Sequence, residues 1–155
     1  MTTTARSSIS SIPTMAARGA WVPTEEELLA MSSRDYMNAA QRAFFRQRLH
    51  ELEQELLKNA GETEALLRET VVVPDPADRA TIEEVQALEL RTRDRERKLL
   101  RKIQQSLQAI ENEEYGWCEE TGEEIGIERL LARPTATLCV EAQERLELRR
   151  KLYGH

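Results

Sequence analysis

Three sets of residues in this 155-residue chain carry groups capable of chemistry: the carboxylates of Asp75-Pro76-Ala77-Asp78, a basic run from Arg91 to Lys102, and two thiols, Cys118 and Cys139. Carboxylates three residues apart could hold a divalent cation, but the same spacing suits a helix start. Asp75 then sits at the N-cap, Pro76 at the first helical position and Asp78 near the free amides and the positive end of the dipole. On the residues alone, capping is the favoured reading. The basic run sets Arg91, Arg93, Arg95, Arg97, Lys98, Arg101 and Lys102 against Asp94 and Glu96. Helical spacing spreads these charges over more than one face, and without a ligand they read as a solvated arm pairing with Glu51, Glu53, Glu55 and Glu69. Two cysteines are too few to staple a secreted scaffold of this size, so they read as reduced thiols or remnants of a metal site. His50 and His155 fall on a polar arm position and at the terminus, and no nucleophile lies near a base. An enzyme is not expected.

The elements that must position these groups are helical. Charged residues make up 32% of the chain and aromatics 5%, which favours long solvated helices with narrow apolar seams over a thick core. Phe45, Leu49, Leu52, Leu56, Asn59, Thr63, Leu66 and Thr70 follow at steps of four and three, the seam of a helix packed on a partner. The pattern resumes at Val85, Leu88, Thr92, Arg95 and Leu99 and continues through Ile103, Leu107 and Ile110 with one extra residue. Two such helices around a short break fold back as an antiparallel hairpin, with arms of roughly 35 residues reaching about 50 Å. Pro74 and Pro76 cannot continue the first arm and mark the tip. The expected organisation is a tail with a short helix over 1–34, capped by Thr24 and Glu27, then a hairpin over 35–113 with its tip at 71–80. A loop-rich knuckle over 114–138, punctuated by Gly116, Gly122, Gly126 and Pro134, and a C-terminal helix over 139–155 follow. The fold class is all-α: a long antiparallel coiled-coil hairpin with a small zinc-finger-like knuckle and a final helix.

Tyr36-Met37-Asn38 with Ala40-Gln41, the tip Pro74 to Ala80, Leu88-Glu89-Leu90-Arg91 running into Arg93 to Leu99, Glu124-Ile125-Gly126-Ile127 and Ala132-Arg133-Pro134-Thr135-Ala136 together resemble the DksA family of transcription regulators. The resemblance spans Tyr36 to the C-terminus. It implies entry into the secondary channel of RNA polymerase, with Asp75, Asp78 and Ala80 forming the tip that approaches the active centre and alters promoter-complex stability. It also implies a site, shared with polymerase, for the alarmone guanosine tetraphosphate (ppGpp) at Leu99, Lys102 and Arg133. A fourth family position, usually lysine, falls on Gln143, so a weakened alarmone response is expected. Members commonly hold a structural zinc with two Cys-x-x-Cys pairs, whereas this chain offers Cys118-Glu119-Glu120-Thr121 and Cys139-Val140-Glu141-Ala142. Half the ligands are missing, and nothing in the spacing recruits Glu119, Glu120, Glu123 or His155. No bound metal is expected, as in the family's cysteine-poor paralogues, and Trp117, Ile125, Ile127, Leu130 and Leu138 must hold the knuckle by packing.

Two other functions use the same residues. A transcript-cleavage factor would hold magnesium at Asp75 and Asp78, and a zinc-finger-like nucleic-acid binder would use the knuckle and the basic arm. The net charge of −6 weighs against direct, specific DNA binding, which needs a basic surface. No apolar run in the first twenty residues suits a signal peptide and no segment reaches membrane-spanning length, so a soluble cytoplasmic protein is the default expectation.

Overall fold

The computed structural model describes residues 21–68 and 75–154. Among the described residues five helices follow in order: α1 (Glu25–Ala30), α2 (Ala39–Arg68), α3 (Pro76–Glu111), α4 (Ile127–Ala132) and α5 (Val140–Tyr153), with one 3-10 turn at Ser33–Asp35. There is no strand among the described residues, only a single antiparallel bridge between Trp117 and Glu124. No helix among them is long and apolar enough to cross a membrane. Of the expected features, Val71 to Pro74 of the tip, Thr70 and Glu69 lie outside the described residues, as do the side chains of Thr63 and Leu66 and the stretch 1–20.

Helix α1 starts where the Thr24/Glu27 spacing predicts. The Glu27 amide donates to Thr24 Oγ1 at 3.3 Å, and the Thr24 amide donates to Glu27 Oε2 at 2.8 Å. That reciprocal pair satisfies two amides no helical carbonyl can reach. Leu28 is then fully buried, and Glu25 pairs with Arg48 of α2 at 3.2 Å.

Helices α2 and α3 run antiparallel. Arg42 meets Glu113 at 2.8 Å, Arg46 meets Glu111 at 3.1 Å and Gln104 donates to Glu53 at 3.4 Å, so partner numbers fall along one arm as they rise along the other. The apolar core sits at the base of the pair, where Phe45 and Leu49 of α2 and Ile103 and Ile110 of α3 are sealed from solvent with Tyr115. Burying such side chains stabilises by about 1.5–3 kcal/mol each, which concentrates the stability of the fold here. The cross-arm ion pairs Arg42–Glu113 and Arg46–Glu111 lie at the same end. Glu51 accepts a hydrogen bond from Gln47 and Glu53 one from Gln104, with His50 Nδ1 3.4 Å from Glu53, and neither pairs with the basic run of α3, whose Lys98 pairs within its own helix with Asp94 at 2.8 Å.

The second-arm seam differs from the sequence reading. Val85 (50% exposed), Leu88 (61%) and Leu99 (41%) point outward, while the partly buried positions are Ile82, Gln86, Glu89, Arg93, Glu96 and Leu100. The cause is phase. Counting back by threes and fours from Ile103, which the base core fixes, lands on this second set, and a continuous α-helix has no way to absorb the extra residue that separates the two patterns. The stronger core at the base sets the rotation of the whole arm, and a polar seam results further out.

Candidate functional site

At the start of α3, Asp75 is the N-cap: its Oδ1 accepts from the Ala77 amide at 3.1 Å, and its carbonyl accepts from the Arg79 amide at 3.0 Å. Pro76 occupies the first position and Asp78 the first turn. Asp75, Asp78 and Ala80 are thus brought together on little more than one helical turn, all exposed, at one end of a 36-residue helix about 54 Å long. Local capping fixes the backbone on which these carboxylates stand.

Roughly three-quarters of the way down α3, Lys102 faces a cleft of about 300 Å³ closed by Arg129 and Arg133 on the α4 side and by Gln143 and Arg150 of α5. The cleft places four cations around one carboxylate, Glu119. Lys102, Arg133 and Gln143 come together here as the sequence reading would require of a shared site. Leu99 does not line the cleft; it stands one turn away from Lys102 on the same face of α3. Arg129 Nε donates to the Leu138 carbonyl at 3.0 Å, which holds that side chain against the knuckle. Gln143 Nε2 donates to Glu147 at 2.8 Å. A concave surface so charged suits a phosphate-bearing ligand, because arginine forks and a lysine ammonium give charge-assisted donors from several directions.

The knuckle is joined to the start of the hairpin by Tyr36. Its hydroxyl donates to the Gly116 carbonyl at 2.6 Å and accepts from the Gly126 amide at 3.0 Å, while its ring meets Trp117 edge-on at 5.2 Å. Burial raises the Tyr36 pKa above its ordinary value, so the phenol stays a donor. Gly116 takes φ +88, and a Cβ there would lie 2.8 Å from Met37 Cγ and 3.1 Å from the Tyr36 hydroxyl. Only glycine fits that approach. Of the residues expected to pack the knuckle, Ile125 and Leu130 are buried, Ile127 and Leu138 pack against the core, and Trp117 remains 38% exposed.

Cys118 and Cys139 are free thiols, both buried. Thr121 Oγ1 lies 3.7 Å from Cys139 Sγ, in hydrogen-bonding contact, and Ala142 is fully enclosed in the core. The two remaining positions of a four-cysteine site are therefore a hydroxyl engaged with sulfur and a packed methyl. Among the described residues no cluster of three or more metal-ligating side chains occurs, so this donor set does not fit a tetrahedral thiolate zinc. Burial pushes the Cys118 thiol up, but hydrogen bonds from the Thr121 side chain and from the amides of Cys139, Thr121 and Glu120 outweigh it and bring it down to about 6.

Sequence reasoning did not find Arg129, Arg150 or Glu119 as cleft residues, nor the Tyr36 clamp. Only α5 held a signal, since Gln143 and Arg150 lie seven residues apart and share a helix face.

Comparison with known proteins places these features. Residues 41–110 match the N-terminal domain of the DnaK suppressor protein DksA, and residues 113–148 match the prokaryotic dksA/traR C4-type zinc finger. The chain is similar to the RNA polymerase-binding transcription factor DksA of Caulobacter vibrioides, 49% identical over 132 residues, covering 84% of this chain and 88% of that protein. It is similar also to that of Escherichia coli (strain K12), 48% identical over 118 residues, with 76% and 78% covered. Among solved structures, transcription factor DksA2 from Pseudomonas aeruginosa superposes with a TM-score of 0.74 at 47% identity, covering 83% of this chain and 99% of that one.

Proposed function

Because the chain belongs to the DksA/TraR family, we propose that it is a cytoplasmic transcription regulator that enters the secondary channel of RNA polymerase. There it changes the stability of promoter open complexes together with guanosine tetraphosphate. It inhibits ribosomal RNA promoters, activates amino-acid biosynthesis promoters, and neither catalyses a reaction nor reads DNA sequence directly. The observation that carries this reading is the exposed Asp75–Asp78 pair, held by its own capping at one end of a long arm. A helix start capped in this way loses little conformational freedom on docking, so the carboxylates on it act at small ordering cost. In this reading Lys102 and Arg133, with Leu99 one turn away, form this protein's half of the alarmone site.

The test is run-off transcription from a ribosomal promoter with and without the alarmone. Asp78→Asn keeps size and removes charge, and is expected to keep polymerase binding while losing most of the inhibition. Equal inhibition by variant and parent at saturating protein means the Asp78 carboxylate only complements the dipole at the helix start. A transcript-cleavage factor would instead shorten the RNA of a paused elongation complex. One oxygen of Asp75 is already engaged by the Ala77 amide, which leaves a poorer set of donors for magnesium.

A further inference from the structure

Position 143 presents a neutral amide to the cleft, and that amide is turned along its own helix to Glu147 at 2.8 Å. Seven residues on, Arg150 lines the same cleft. Two helical turns separate the pair, so both stand on one face of α5 about 10 Å apart along its axis. The neighbouring arginines are already engaged: Arg145 and Arg149 turn to Glu120 at 3.5 and 3.7 Å. Arg150 makes no ion pair among the described residues, and neither do Lys102 and Arg133 across the cleft.

We infer that Arg150 is a specificity-determining residue for the phosphate-bearing effector, supplying from the far end of α5 the positive charge that Gln143 lacks. This rests on the reading of the cleft as the alarmone site. An arginine suits the task, because its fork can span two phosphate oxygens where a lysine offers a point charge. Arg150 also lies in the last turn of α5, where a cation complements the helix dipole. A role confined to the dipole changes the melting of the free protein but not the affinity for a ligand in the cleft, and that difference separates the two.

The experiment measures labelled guanosine tetraphosphate on the complex of polymerase with the full chain, as the increment over polymerase alone. Arg150→Gln is expected to raise the half-saturating concentration about tenfold, the loss typical of one charge-assisted contact. Arg150→Lys recovers part of it, and Gln143→Lys added to Arg150→Gln recovers most, since either position can then present a cation. Half-saturation unchanged in Arg150→Gln, while Lys102→Ala or Arg133→Ala weakens binding, overturns the role of Arg150 and leaves the cleft as the site. If all three variants bind as the parent does, the cleft is not the alarmone site and the role of Arg150 falls with it. A lowered melting midpoint without a change in half-saturation assigns Arg150 to the helix dipole, which also overturns the inference.

Discussion

Tyr36→Phe tests whether hydrogen bonding and packing hold the knuckle to the hairpin. The substitution keeps the ring and its edge contact with Trp117, and removes one oxygen that donates to the Gly116 carbonyl and accepts from the Gly126 amide. The two losses are unequal. The Gly116 carbonyl still accepts from the Ile125 amide at 2.9 Å, so the cost falls mainly on the Gly126 amide, left without its partner in a half-buried place. A stranded donor of that kind costs about 1–3 kcal/mol, and about 2 kcal/mol is the expected destabilisation. With urea slopes of about 1–3 kcal/mol per molar, the unfolding midpoint should fall by about 1 M when followed by tryptophan fluorescence in chelator-treated buffer. A fall below about 0.3 M, or one that added zinc reverses in full, refutes the account of the knuckle as a metal-free clamp.

Three further outcomes are expected. The Cys118→Ser, Cys139→Ser double variant keeps its helical circular dichroism and inhibits a ribosomal promoter in chelator; stoichiometric zinc in the purified parent, with unfolding on chelation, defeats this. Thiolate absorbance of the native protein rises with a midpoint near pH 6 for Cys118, below its ordinary 9.0, and is lost in Cys118→Ser. Because folding lowers that pKa, deprotonation favours the folded state: the contribution is absent below about pH 6, grows to pH 9 and is complete above it. On the second arm, Leu100→Ala destabilises by about 1–2 kcal/mol while Leu99→Ala stays within about 0.5 kcal/mol; equal losses would restore the seam through Val85, Leu88 and Leu99.

What was legible in the sequence was what local chemistry decides. Asp75, Pro76 and Asp78 announce a helix start within four residues, and Thr24 with Glu27 does the same, because each capping partner is a near neighbour in the chain. The first-arm seam through Phe45, Leu49, Leu52 and Leu56 was legible for the same reason. The rotation of the second arm was not. Two apolar patterns compete there, and Ile103 and Ile110 choose between them only through their packing with Phe45 and Leu49 of the other arm. The Tyr36 clamp joins residues 80 and 90 positions apart, a distance over which no periodicity speaks. Lys102 and Arg133 were named through family resemblance and not through spacing. Their place in one cleft depends on how α3, α4 and α5 meet, which also brings in Arg129 and Arg150.

The central claim is that this chain acts on initiating polymerase through the carboxylates at the start of α3. The lifetime of competitor-resistant open complexes at a ribosomal RNA promoter measures it most directly. The account predicts that saturating parent protein shortens that lifetime, that guanosine tetraphosphate shortens it further, and that Asp78→Asn binds polymerase yet leaves it near the value for polymerase alone. An unchanged lifetime with parent protein demonstrably bound, or equal shortening by the parent and Asp78→Asn, would contradict it.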